Sequence, residues 1–200
     1  MEIQEIVDKT FEKFKTFKPI GVLPAFRKAN DGAVEDFLNT NGNAYYQWDM
    51  CLADIIKPKQ IVELGGAMGM WDIAMLYVLP EDAKLYSITL AEYGLEFSYI
   101  ADTYKNFFPI VDNDLELSNW SIYPELDLHN TDLWFFDSLH THDQLEAELK
   151  LYTPFFKKGT ILLFDDIHMD ELNPVWESLP YSKVDISDPC HYSGYGIAKV

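Results

Sequence analysis

The hydrophobic positions change rhythm near residue 58. Before it, Ile3, Ile6, Val7, Phe14 and Phe17 recur at three- and four-residue steps, the spacing of an apolar helical stripe that ends before Pro19. A stretch rich in Pro, Gly and Asn runs to about Gly42, and Tyr45, Trp48, Leu52 and Ile55 then resume the helical step up to Pro58. Beyond that point, short apolar runs at 60–64, 84–88, 115–117, 132–136 and 160–164 alternate with amphipathic stretches. The alternation predicts βαβ units and a parallel sheet covered on both faces. The tail, "YSKVDISDPCHYSGYGIAKV", predicts two strands joined by a turn at Asp188 and Pro189, which would add an antiparallel edge.

Two hundred residues, 48% of them hydrophobic, favour one domain with a sizeable core. We expect an N-terminal helix and loop over 1–42, a candidate lid, and the main domain over 43–200. The formal charge of −18 is unevenly placed. Residues 1–28 hold six of the fifteen basic side chains against four acids, leaving about −20 on the remainder. Such a body repels phosphate polyanions, so nucleic acid and anionic membrane surfaces are not expected partners. The exception would be a basic patch of Lys13, Lys15, Lys18, Arg27 and Lys28 acting alone, against which stands the simpler reading of a solvated helix face. Cys51 and Cys190 read as incidental thiols in a reduced, cytoplasmic chain, with neither a secretory signal nor a long apolar span.

Open parallel sheets bind ligands beyond the carboxyl ends of their strands. The first run ends "IVELGGAMGMWDIAML", where Gly65, Gly66 and Gly69 permit a tight turn leading into a helix. The order Glu-x-Gly-x-x-x-Gly is not the G-x-G-x-x-G of dinucleotide sites. It resembles motif I of the class I S-adenosylmethionine-dependent methyltransferases, although Ala67 stands where many members have glycine and Met70 and Trp71 are bulky. That resemblance implies a Rossmann-like fold with a mostly parallel seven-stranded sheet and an antiparallel edge strand. It also places Glu63, Gly65, Gly66 and Gly69 at the cofactor. In "LYSITLAE" the usual acid at the second strand tip is missing, so Thr89 and Glu92 are assigned to the ribose. In "LELSNWSIYPEL", Trp120 and Ser121 are assigned to the adenine side, with a core position for Trp120 the alternative.

The stretch "DSLHTHDQLEAELKLYTPFFKKGTILLFDDI" resembles one methyltransferase branch, that of the cephalosporin hydroxylase family and rhamnosyl-type O-methyltransferases. With motif I, the likeness covers roughly residues 60–168 and, weakly, the tail. The residues support it independently. If the runs at 132–136 and 160–164 are neighbours, Asp137, Asp165 and Asp166 converge, and three carboxylates cannot crowd together ionised without a cation. Oxygen ligands favour Mg²⁺ or another hard divalent ion. Helix capping is the competing role for Asp165 or Asp166. Catechol-type relatives use the same layout to hold adjacent hydroxyls, which implies that His140 is the general base and that Asp137 also borders the cofactor. His142 and His168 read as a helix-start and a loop residue.

These observations predict an S-adenosylmethionine- and divalent-metal-dependent O-methyltransferase. Its acceptor would be a hydroxyl of a small molecule or sugar, and the chain is a candidate homo-oligomer. Two alternatives stand beside it. One is a hydroxylase or other oxidoreductase of the same fold, with His140, His168 and the acids regrouped around iron. The other is a non-catalytic partner subunit, suggested by the altered second strand tip and by Met70 and Trp71.

Overall fold

In a computed structural model of the chain, residues 1–17, 44–90 and 94–200 are described, without the side chains of 94–96. β1 (Gln60–Leu64) is buried along its whole length, as a strand covered on both faces must be. It is followed by α3 (Met70–Val78), β2 (Lys84–Thr89), α4 (Gly94–Thr103) and β3 (Phe107–Val111). Next come β4 (Leu133–Phe136), α5 (His142–Tyr152), β5 (Ile161–Asp165) and α6 (Asn173–Ser178). The hairpin β6 (Ser182–Asp185) and β7 (Tyr195–Lys199) ends the chain, while α1 (Ile3–Phe14) and α2 (Ala44–Ile56) precede the sheet.

The seven strands are ordered β3-β2-β1-β4-β5-β7-β6. All pairings are parallel except the two made by β7, which lies antiparallel between β5 and β6. The expected fold is therefore present, with its antiparallel strand one place in from the edge.

Side chains alternate between two cores, as the pleat requires. Ile61, Leu85, Phe135 and Leu163 pack under α2, α3 and α4 with Trp48, Trp71 and Phe97. Val62, Tyr86, Trp134 and Phe164 pack on the opposite face with Tyr152 of α5 and Trp176 of α6. α1 lies outside α2, burying Ile3, Ile6 and Val7, with Phe11 5.7 Å from Trp48 between ring centroids. The aromatic residues Tyr45, Tyr46, Trp48 and Phe97 are core residues.

One strand is misplaced in the sequence reading. The third strand is Phe107–Val111, and the run expected at 115–117 leads into a 3₁₀ turn at Leu117–Ile122. Pro109 hides this strand, because proline lacks the amide a central strand needs. β3 is an outermost strand, where proline is tolerated, and the Pro109 carbonyl accepts a hydrogen bond from the Tyr123 hydroxyl at 2.7 Å. The candidate lid falls largely on residues 18–43, outside the described residues, as do Lys18, Arg27 and Lys28. Of the basic patch that is described, Lys13 pairs with Asp54 at 2.5 Å and Lys15 with Glu12 at 2.6 Å, the behaviour of a solvated helix face.

Candidate active site

Strand order reverses between β1 and β4, so the loops after them diverge and leave a crevice at the sheet's carboxyl edge. A cleft of about 440 Å³ opens there, within the range of small-molecule sites. Gly65, Ala67, Thr89 and Leu90 line one side, Asn113 and Asp114 the far end, and Asp137, Ser138 and His140 the other side.

The glycine turn is shaped by the protein's own packing. Gly65 has φ +99°, and a Cβ there would lie 2.0 Å from the Asp137 carbonyl oxygen. Gly69 has φ +74°, and its Cβ would meet Ile100 Cδ1 at 2.1 Å. The space glycine preserves at 69 thus belongs to α4. Gly66 holds the turn to β2, its amide donating to the Ile88 carbonyl at 3.1 Å.

Glu63 lies beneath this turn. It is 1% exposed and accepts a short hydrogen bond from Ser87, its register partner on β2, with Asp72 of α3 alongside. Burial and the neighbouring Asp72 push Glu63 well above the usual carboxyl range. Burial likewise pushes Asp72 up to about 7, against the hydrogen bonds from Glu63 and Ser87. Glu63 is absent from the cleft lining and lies under the turn instead.

Thr89 lines the cleft as expected, whereas Glu92 lies outside the described residues. Trp120 and Ser121 do not line it. Trp120 is core, its Nε1 donating to the Tyr152 hydroxyl at 3.0 Å, and exposed Ser121 donates to the Ser118 carbonyl at 2.6 Å. Asp112, Asn113 and Asp114, which follow β3, line the cleft there instead. Gln144 of α5 donates to both Asp114 oxygens, at 3.0 and 3.2 Å, and to Glu148 at 2.8 Å, building a polar far wall. The acids following Phe107–Val111 were the available signal, masked by the misplaced strand.

The three aspartates converge as their strand tips require. Phe136 is in register with Phe164, which sets Asp137 beside Asp165, and Asp166 follows with φ +57°, a left-handed conformation uncommon outside glycine. No helix starts directly behind Asp166, since α6 begins at Asn173, so capping does not explain it. His140 joins them. Its Nδ1 lies 2.8 Å from Asp166 Oδ2 and its Nε2 3.1 Å from Asp137 Oδ1. Those two contacts raise the imidazole to about 10, against the opposing effect of burial. Burial, then the charges of Asp137 and Asp166, drives Asp165 well above the carboxyl range. Asp137 is raised by burial, against its bonds to His140. For Asp166, burial is outweighed by hydrogen bonds from His140 and Ser193, so it is lowered.

The donor set fits a divalent cation. Asp165 Oδ1 and Asp166 Oδ1 are buried without a hydrogen-bond partner, and ligand atoms of Asp137, His140 and Asp165 all lie within 4.8 Å of one another. Buried carboxylate oxygens are seldom left unpaired, and an ion is one group that would satisfy them. His142 begins α5 and sits near Asp143 and Glu146. His168 pairs with Asp185 at 2.7 Å, away from the acids. The second histidine near the acids is His191 instead, brought in by the last hairpin.

The methyltransferase-domain family matches residues 62–167, which hold the glycine turn, Asp137, His140, Asp165 and Asp166. The chain belongs to that family. It is a class I, S-adenosylmethionine-dependent methyltransferase. A search of curated proteins finds no match. Solved structures share the fold across almost the whole chain. A caffeoyl-CoA O-methyltransferase candidate from Staphylococcus aureus is 15% identical, with TM-score 0.66 and coverage of 98% of this chain and 99% of its own. A methyltransferase from Geobacter sulfurreducens is 12% identical, with TM-score 0.66 and 96% of each chain covered. The O-methyltransferase TomG from Streptomyces achromogenes, involved in tomaymycin synthesis and solved with S-adenosylmethionine, is 17% identical, with TM-score 0.63 and coverage of 100% and 99%. Among the described residues, no helix is long and apolar enough to cross a membrane.

Proposed function

We propose that this methyltransferase transfers the methyl group to a hydroxyl of a small molecule or sugar, with a divalent cation held by Asp137, Asp165 and Asp166. The observation that carries this reading is the pair of unpartnered, buried oxygens on Asp165 and Asp166, beside His140 at the cleft. S-adenosylmethionine would supply an electrophilic sulfonium methyl, and the cation would lower the proton affinity of a hydroxyl beside it. Its likeness to structures described as O-methyltransferases supports the choice of oxygen as acceptor.

The chain's own residues align the reactants. Gly65, Ala67 and Thr89 bound the donor end of the cleft and Asn113, Asp114 and Gln144 its far end, which would receive the nucleoside. Fixing both partners in one cleft is the main contribution to rate. His140 accepts the hydroxyl proton. Asp137 and Asp166 orient its ring and strengthen its hold on a proton, so only the minority neutral form acts while both carboxylates bind the ring. Where those carboxylates are given to a cation, the ring loses these acceptors and its ionisation moves toward neutrality. The net charge of −18 disfavours nucleic acid as acceptor.

Calorimetry of the metal-free protein tests the reading. S-adenosylhomocysteine should bind, Mg²⁺ or Mn²⁺ should bind, and Asp165→Asn should abolish only the second. Absence of any metal heat in wild type would remove the cation from the account. Absence of S-adenosylhomocysteine heat would favour a non-catalytic subunit.

A further inference from the structure

The last hairpin delivers to the acid cluster a histidine nitrogen that the reaction above does not use. β7 pairs antiparallel with β5, Asp165 opposite Tyr195, so the loop before β7 folds over the end of β5. The His168 amide fastens it by donating to the Ser193 carbonyl at 2.9 Å. His191 Nδ1 then lies 3.5 Å from Asp165 Oδ1 and 3.6 Å from Asp166 Oδ1. Both are among the buried oxygens that lack hydrogen-bond partners.

The separations are informative. They are too long for N–H···O hydrogen bonds, which fall near 2.9 Å. Two ligands sharing one ion at about 2.1 Å stand roughly 3.0–3.5 Å apart. Both nitrogens of His140 are engaged with carboxylates of the cluster, at 2.8 Å with Asp166 and 3.1 Å with Asp137, whereas the 2.8 Å partner of His191 Nδ1 is a neutral hydroxyl. The ring of His191 is held edge-on to Tyr45 at 5.0 Å, and its side chain is 10% exposed. Ser193 Oγ lies 2.8 Å from the same Nδ1 and is the competitor an ion would displace. In the tautomer protonated at Nε2 the Nδ1 lone pair accepts from Ser193 and could bind an ion in its place.

We propose that His191 is a ligand of the cation site, so that this chain selects a first-row transition ion over Mg²⁺. The inference rests on the reading of Asp137, Asp165 and Asp166 as a cation site. Imidazole suits Co²⁺, Ni²⁺, Fe²⁺ and Zn²⁺, whereas Mg²⁺ takes oxygen and water. Affinity order alone is not diagnostic, because transition ions outbind Mg²⁺ at most sites. Selective loss on removing one nitrogen is.

The test is calorimetry of the metal-free full chain with Co²⁺ and, separately, Mg²⁺. His191→Phe keeps a flat ring against Tyr45 and should weaken Co²⁺ by about 10- to 100-fold, with Mg²⁺ changed less than about threefold. Ser193→Ala should not weaken Co²⁺. Equal losses for both ions would mean that the ring only props the acids, and unchanged Co²⁺ affinity would mean that it touches no ion; either overturns the proposal. Wild type that binds neither ion would overturn the cation site itself. Should His191→Phe not fold, proton NMR of the wild-type Co²⁺ complex decides. A hyperfine-shifted, exchangeable imidazole N–H that survives His140→Gln supports ligation, and its absence overturns it.

Discussion

Gly65 lies against the backbone of Asp137, where the amide of Asp137 donates to the Leu64 carbonyl at 2.9 Å and a Cβ on residue 65 would stand 2.0 Å from the Asp137 carbonyl oxygen. The donor turn and the first acid of the proposed cation site are therefore one packed unit. Gly65→Ala combines this clash with φ +99° and should destabilise the protein by at least about 2–3 kcal/mol. Urea unfolding would show it as a lowered midpoint with unchanged slope. A midpoint within error of wild type would mean that the two loops are not in contact.

Three crowded carboxylates without an ion, Asp165 and Asp166 buried and Asp137 half-buried, store repulsion. Asp165→Asn should stabilise the metal-free protein, by about 1 kcal/mol, because it removes a group driven well above its ordinary ionisation by burial and by Asp137 and Asp166. In excess Mn²⁺ the order should reverse, since only wild type gains from the ion. Thermal melts with chelator and with Mn²⁺ measure both. A variant less stable in both conditions would contradict a crowded, ion-requiring cluster.

Asp49 predicts a pH dependence remote from the cleft. It is fully buried between α2 and α3 and accepts hydrogen bonds from Trp71 Nε1 and Tyr195, yet burial pushes it up to about 8. The unfolded chain releases this proton near pH 4, so between about 4 and 8 the folded state binds more protons and stability falls as pH rises. Asp49→Asn resembles the protonated acid and should lose that part of the slope, so its advantage over wild type grows from pH 5 to pH 8. Parallel Tm-against-pH curves would show Asp49 to be ionised in the fold.

His140 should be visible as an unusual histidine. In metal-free protein one imidazole should remain protonated past pH 8 by NMR, the signal should vanish in His140→Gln, and Mg²⁺ should move it toward neutrality. His140→Ala should slow methyl transfer by about 10²–10⁴ while leaving S-adenosylhomocysteine binding nearly intact. If all histidines titrate near the ordinary value, the bridge to Asp137 and Asp166 does not form.

Much of this architecture was legible in the chain because strand tips are a local property. A run such as 133–136 ending at Asp137, next to one ending at Asp165, fixes where both acids go once the strands are neighbours. Two kinds of information were not local. Pro109 reads as a strand breaker unless β3 is known to be at the edge, and with that strand displaced, Asp112, Asn113 and Asp114 were overlooked in favour of Trp120 and Ser121. A tryptophan in an irregular segment looks the same on paper whether it faces a ligand or, as Trp120 does, the Tyr152 hydroxyl. His191 reaches the acids only through the antiparallel pairing of β7 with β5, which brings residues far apart in sequence together.

The most direct measurement is anomalous diffraction at the Mn edge from crystals of the full chain grown with S-adenosylhomocysteine and Mn²⁺. The account predicts one strong peak among the carboxylates of Asp137, Asp165 and Asp166, with the nucleoside in the cleft bounded by Thr89 and Asn113. A peak elsewhere, or none with the nucleoside in place, would contradict it.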